Sequence, residues 1–258
     1  MSPPVASLPM YDWPEVRAAT DALWACLREA MRARGLAAPD ALSRDAPHWE
    51  HPALALGQTC GLPYRTRLHD RVTLVGAPDY GLDACPPGFY RSALVARADD
   101  PRAAQDLAAA PFAYNAVDSQ SGWAALVATL GPRRPEAGLA TGAHRASIRA
   151  VAAGAADVAA IDAASWRLAL AWEPAAARLR VAGWSRPTPG LPLITAAGRD
   201  PAPYAAAAAE GIAALDAASR AALGLRGFAP LAPADYLGPA QRTQDAPLDP
   251  DHWPVHRS

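Results

Sequence analysis

The sequence predicts an α/β fold of two lobes, each a sheet flanked by helices, with a ligand cleft between them. Three observations point there. Short apolar, strand-like runs alternate with helix-spaced runs along most of the chain. Several of those strands end in small polar residues just ahead of a helix start. Two Pro- and Gly-rich crossings, near Ala84–Arg91 and Ser185–Thr195, bracket a central stretch. Residues 1–88 with 190–245 are therefore expected as one lobe, residues 89–189 as the other, and 246–258 as a flexible C-terminal tail.

The elements follow in order. Ala6 to Met10 reads as a first strand, broken by Pro9. Asp12 then suits an N-cap, with Pro14 and Glu15 in the first turn and Val16, Leu23, Trp24, Leu27 and Met31 at helical spacing up to Gly35. Residues 39–53 read as loop. Leu54 to Gly61 is a strand that leads into a short helix to Leu68, and Arg71 to Pro78 is another strand. In the central stretch, Phe89–Arg97, Pro111–Ala116, Ala156–Asp162 and Leu179–Trp184 read as strands. Trp123–Leu130, the run around Ile148–Ala155 and Ser165–Leu170 read as helices. Leu191–Thr195 is short and apolar, and Pro203–Leu215 and Ala217–Leu223 are helical.

Composition removes several function classes. The chain has 258 residues, enough for one large domain or two lobes, and a formal charge of -1. No basic surface is advertised, so neither nucleic acid nor an anionic membrane is expected as a partner. No run is long enough to span a bilayer. The N-terminal residues lack the basic and apolar regions of a secretory signal, so the expectation is a cytoplasmic protein or one whose signal lies outside this sequence. Cys26, Cys60 and Cys85 show no metal-type spacing, and a Cys60–Cys85 bridge stays open. His48, Glu50 and His51 fit no helical zinc motif and lack an obvious third ligand, so no metal and no cofactor are expected.

The chemistry concentrates at Asn115–Trp123. A strand, then Asp118, Ser119, Ser121 and Gly122, then a helix, is a local arrangement suited to an anion. Backbone N–H groups and the helix dipole point at the ligand there, and small side chains let it approach. Hydroxyl and N–H donors on Ser119, Ser121 and Gly122 suit a tetrahedral oxyanion, each buried charge-assisted hydrogen bond being worth roughly 1.5–3 kcal/mol. Other strand ends add Tyr11, Cys60 and Gly61 from the first lobe, and His144 and Asp162 from the second, with Tyr90 near the boundary. Asp162 would accept from a protonated ligand oxygen or a ligand amine, or orient His144.

The stretches Leu8–Glu15, Leu56–Tyr64, Tyr90–Arg97, Asn115–Gly122, Thr141–Asp162 and Pro187–Thr195 resemble the phosphate/phosphite/phosphonate-binding proteins of ABC importers. Gln-Thr-Cys-Gly, Ser-x-Ser-Gly, Thr-Gly-x-His and Asp-Val-Ala-Ala-Ile-Asp occur in that order over about residues 5 to 200. The resemblance implies the two-lobed type II periplasmic-binding-protein fold, a small anionic ligand, an ABC permease as partner and a monomer. It matches Ser119, Gln120, Ser121 and Gly122 to the family's oxyanion-binding helix start, His144 to its cleft histidine, Tyr11 to its first-lobe aromatic and Asp162 to its second-lobe acid. Gln120 stands where the family often has a second hydroxyl residue, so an amide replaces one hydroxyl donor. The expected function is non-catalytic capture of a phosphate- or phosphonate-like oxyanion. A cytoplasmic biosynthetic enzyme or sensor on the same fold is the alternative. A hydrolytic Ser–His–Asp reading fits less well, because Ser-Gln-Ser-Gly is not a nucleophile elbow.

Overall fold

A computed structural model describes residues 2–132 and 135–238. The expected tail, 246–258, lies outside the described residues. The chain forms two compact units, one made of the residues up to Tyr90 together with Pro187–Tyr236, the other containing Arg91–Arg186.

The first unit opens with β1 (Val5–Ser7), α1 (Arg17–Arg32), β2 (Leu54–Gln58), a helical turn α2 (Gly61–Pro63) that runs on as a π-helix over Tyr64–Leu68, β3 (Val72–Asp79) and β4 (Phe89–Tyr90). The first strand is shorter than the sequence suggests, because Pro9 can donate nothing to a ladder. Asp12 does not cap α1. The helical segment begins at Pro14 behind Trp13, with no side-chain cap, and Asp12 instead accepts from Arg44 Nε at 2.6 Å. An ion pair with a residue 32 positions away outbids a local cap and leaves no trace in local sequence. The apolar stripe of α1 is as expected, with Leu23, Trp24, Leu27 and Met31 all buried.

The second unit follows as β5 (Ser92–Arg97), β6 (Phe112–Tyr114), a π-helix over Gln120–Ala124 continuing as α3 (Ala125–Leu130), β7 (Leu139–Ala140), α4 (His144–Ala152), β8 (Val158–Asp162), α5 (Ala163–Trp172) and β9 (Leu179–Trp184). Its five-stranded sheet runs β7-β6-β8-β5-β9. β6 is parallel to β7 and β8, and β5 is antiparallel to β8 and β9. Parallel neighbours need a helical crossover, and α3 and α4 supply it. The core packs Leu94, Leu107, Phe112, Trp123, Leu126 and Val158 together. Each such side chain contributes about 1.5–3 kcal/mol by leaving water.

The chain then returns to the first unit as β10 (Thr188–Pro189), β11 (Leu193–Ala196), α6 (Pro201–Ala214), α7 (Ala217–Leu223), β12 (Gly227–Ala229) and α8 (Pro233–Leu237). The first unit's main sheet runs β1-β2-β11-β3-β12, with β11 antiparallel between β2 and β3. β10 pairs with β4, so the strand that leaves this unit and the strand that re-enters it are hydrogen-bonded to each other. Gly190 makes this closeness feasible. Its N–H donates to Gly88 O at 2.7 Å, and a Cβ there would stand 2.4 Å from that same oxygen.

Candidate functional site

β6 delivers the chain to a turn that ends at Ser119. That residue is extended (φ -86, ψ 123), and its Oγ accepts the Gly122 N–H at 3.0 Å. This is N-cap chemistry: the first turn of a helix has N–H groups without intrahelical acceptors, and Ser119 takes one of them. The helix then starts wide, as a π-turn over Gln120–Ala124. Gly122 is required for space. A Cβ on it would lie 1.8 Å from Asn115 Oδ1. Ser119, Gln120 and Ser121 are each at least 95 % buried, so the polar wall they form is shielded from bulk water.

His144 is the first residue of α4. Two links sew the loop ahead of it to the end of β6: Thr141 N–H and Oγ1 both donate to Tyr114 O, and Gly142 N–H donates to Asn115 O at 2.9 Å. His144 Nε2 therefore comes to 2.7 Å from Ser121 Oγ, and Ser121 Oγ in turn is 3.5 Å from Ser119 Oγ. The imidazole is half-buried. Burial pushes its pKa down to about 4, while the Ala160 backbone pulls the other way and loses. At neutral pH the ring is uncharged, so it offers one donor and one acceptor rather than a positive charge. Its Nδ1 is buried and has no side-chain hydrogen-bond partner.

Asp162 sits at the junction of β8 and α5. Its Oδ1 accepts from Ala164 N–H at 2.7 Å and from Ser165 N–H at 3.1 Å, which makes it the N-cap of α5. Since no side chain bonds His144 Nδ1, Asp162 does not orient that ring. Ser119, Gln120, Ser121, Gly122 and His144 are thus brought together, and Asp162 has a structural duty that sequence reading did not assign.

In the first unit, Tyr11 lies in the turn after β1, nearly buried, edge-on to Tyr80 with ring centroids 4.8 Å apart. It lines a small, mostly apolar cavity of about 30 Å³ with Leu23, Leu27 and Gln58 among its neighbours. Cys60 is half-buried and extended, immediately before α2, and Gly61 is the buried first residue of that turn. Tyr90 is buried in β4 opposite Thr188. None of Cys26, Cys60 and Cys85 forms a disulfide.

Two residues escaped sequence reading. Thr59 is fully buried and its Oγ1 has no hydrogen-bond partner, and the same is true of Asn115 Oδ1. Both stand next to assigned residues, inside Gln-Thr-Cys-Gly and at the head of the serine turn. A polar side chain at the end of an apolar strand was the signal that could have found them. Among the described residues, no three His, Cys, Asp or Glu side chains come together as metal ligands, and no helix is long and apolar enough to cross a membrane.

Comparison with solved structures places this architecture. XAC2383 from Xanthomonas citri, bound to chloride ion, is 17 % identical over 95 % of each chain with a TM-score of 0.65. A binding protein component of an ABC phosphonate transporter from Pseudomonas aeruginosa is 16 % identical over 97 % of this chain and 92 % of its own, with a TM-score of 0.63. PhnD1 from Prochlorococcus marinus, in complex with methylphosphonate, is 14 % identical over 90 % of this chain and 94 % of its own, also at 0.63. At these identities the likeness shows the fold, which is the type II fold of periplasmic binding proteins. No curated protein matches the chain in sequence. The family model for the phosphonate ABC transporter periplasmic substrate-binding protein does match, over residues 62–236. That stretch is more than half of the chain, and the chain belongs to this family.

Proposed function

We propose that the protein captures a phosphate- or phosphonate-like oxyanion without chemical turnover and serves as the binding component for an ABC permease. The observation that carries this reading is the Ser119–Gly122 helix start with His144 Nε2 at 2.7 Å from Ser121 Oγ. The wall offers neutral donors and helix N–H groups, and His144 adds no full charge of its own at neutral pH. Such a wall recognises the shape and acceptor pattern of an oxyanion rather than charge alone. Tyr11 and Asp162 stay assigned to ligand recognition through their match to the family's pattern, Cys60 and Gly61 as residues at a strand end, and Tyr90 as a hydroxyl donor.

The lack of a carboxylate on Nδ1 weighs against an enzyme. A Ser–His–Asp hydrolase needs an acid on the far ring nitrogen, and Asp162 spends its Oδ1 on two amides of α5 instead. The test is calorimetric titration with phosphate, phosphite, methylphosphonate and aminoethylphosphonate, repeated by thermal shift. At least one should bind saturably and be recovered unaltered. Absence of heat and of thermal shift for all four sinks the reading.

A further inference from the structure

The first unit also carries a pocket with charged residues set in a largely apolar lining, and none of Tyr11, Cys60, Gly61 or Tyr90 lines it. Its volume is about 310 Å³, the size of a small-molecule site. One wall is the end of β1 and the turn beyond it. The other is the loop Leu42–Pro47, laid along β1 by Ser43 N–H donating to Ala6 O at 2.8 Å and Ser7 Oγ donating to Ala46 O at 3.3 Å.

Most of the charge in this pocket is already matched. Arg44 donates to Asp12 at 2.6 Å and to Asp21 at 2.7 Å, so one cation is held between two carboxylates. Two lining charges are matched less closely: among the described residues, neither has an arginine–carboxylate pair shorter than 3.8 Å. Arg17 reaches only Asp12, at 3.8 Å, a carboxylate Arg44 already occupies, and half of the Arg17 side chain is exposed. Asp45 is 80 % exposed and is contacted by Ser43 Oγ and by His48 Nε2 at 3.1 Å. The Ser43 hydrogen bond, followed by that from His48, holds its carboxyl down to about 2, so it is an anion at any physiological pH. His48 has a positive φ of 53, uncommon for a residue with a Cβ, and its ring still reaches Ser43 Oγ at 2.7 Å.

We propose that this pocket binds a small zwitterion, an amino acid or short ω-amino acid, with its acid group on Arg17 and its ammonium on Asp45. A simple anion would face Asp12 and Asp45, and a simple cation would face Arg17 and Arg44. A zwitterion answers both of these loosely held charges at once, and Leu8, Pro9, Leu42 and Pro47 suit a short aliphatic segment between them.

The experiment is amide NMR titration of the full chain with glycine, β-alanine and γ-aminobutyrate, with acetate and methylammonium as half-ligands. Methylphosphonate is held at a fixed excess throughout, so that the two sites are read separately. At least one zwitterion should give saturable shifts at Ser7, Leu8, Asp12 and Ser43–Ala46, and should bind at least fivefold tighter than either half-ligand. Arg17→Gln and Asp45→Asn should each weaken it at least fivefold with the melting temperature unchanged. Three zwitterions without saturable shifts, a half-ligand within fivefold of the best zwitterion, or either variant binding within fivefold of the parent would overturn the proposal.

Discussion

Ser121 and His144 each limit what the other can offer. With 2.7 Å between Oγ and Nε2, one of the two atoms donates and the other accepts. Truncating Ser121 to alanine removes a group that a ligand oxygen would otherwise meet, and it also strips His144 Nε2 of its partner. At roughly 1.5–3 kcal/mol for a charge-assisted hydrogen bond, we expect Ser121→Ala to weaken methylphosphonate binding at least tenfold. The fold should be kept, as checked by calorimetry beside circular dichroism; parent-like affinity in that variant would remove Ser121 from the site. His144 gives a second residue-scale expectation. Its folded pKa, about 4, lies below its ordinary 6.5 because burial disfavours the charged ring. A depressed basic group leaves stability intact above pH 6.5. Stability then falls as the pH drops from 6.5 to 4, because the unfolded chain takes up a proton that the folded one refuses. The loss is on the order of 2 kcal/mol. Urea denaturation at pH 7 and pH 4.5 should show a drop that is smaller in His144→Asn, and equal drops in both proteins would remove His144 as the source.

At the scale of elements, the placement of α4 depends on Glu173. Its Oε2 accepts from Arg145 Nε at 2.7 Å and from Arg149 Nε at 2.9 Å, and its Oε1 accepts the Ala175 N–H at 3.2 Å. One carboxylate thus ties the helix that begins with His144 to the end of α5 and caps the turn after it. Burial pushes this carboxyl up, but the two arginines and the Ala175 amide outweigh burial and hold it at about 2. For a depressed acid the stabilisation is complete above the ordinary value near 4.5 and fades as the pH falls towards 2. Glu173→Gln keeps the cap oxygen and loses the charge, so we expect a loss of about 1–3 kcal/mol at pH 7 by urea denaturation. An unchanged midpoint would show that α4 is held by packing alone. Nothing local announces this clamp, since Arg145 and Glu173 are 28 positions apart. Other elements were legible where their cause was local. The α1 stripe, the breakers Gly35 and Gly224, and the Ser119 cap all act within a turn of their own residue. β7 was missed because Leu139 and Ala140 are both exposed and show no alternation, and a strand's pairing partner is not written in its own residues. Gly122 could be read as a helix-start glycine, but the reason it must be glycine, the Asn115 carbonyl packed against it, needed coordinates.

At the scale of the whole molecule, the second unit differs from the first in how the chain supplies it. The sheet of the first unit draws strands from both sides of the excursion, whereas Arg91–Arg186 is continuous and contains five paired strands with their own core. Its ends also meet. Ser92 N–H donates to Ser185 Oγ at 2.8 Å, and Ser185 N–H donates to Ser92 O at 2.9 Å, so cutting there frees two termini that already lie side by side. The half-buried Asp100–Arg102 pair, at 2.6 Å, lies inside the same segment, with Arg102 continuing to Asp157 at 2.9 Å. Among the described residues, every partner of this network lies within 91–186. We therefore expect residues 91–186, produced alone, to unfold cooperatively in urea with a near-ultraviolet circular dichroism band from the packed Trp123. The same fragment keeps the Ser119–Gly122 turn and His144, so its response to ligand is informative. In the full protein, methylphosphonate at a hundredfold excess over Kd should add about 2.7 kcal/mol of stability by mass action. If the serine turn carries a substantial part of the affinity, the fragment should retain a smaller but saturable thermal shift that Ser121→Ala abolishes. A folded fragment with no shift at any methylphosphonate concentration, beside a full chain that responds, would mean that the decisive contacts lie outside residues 91–186.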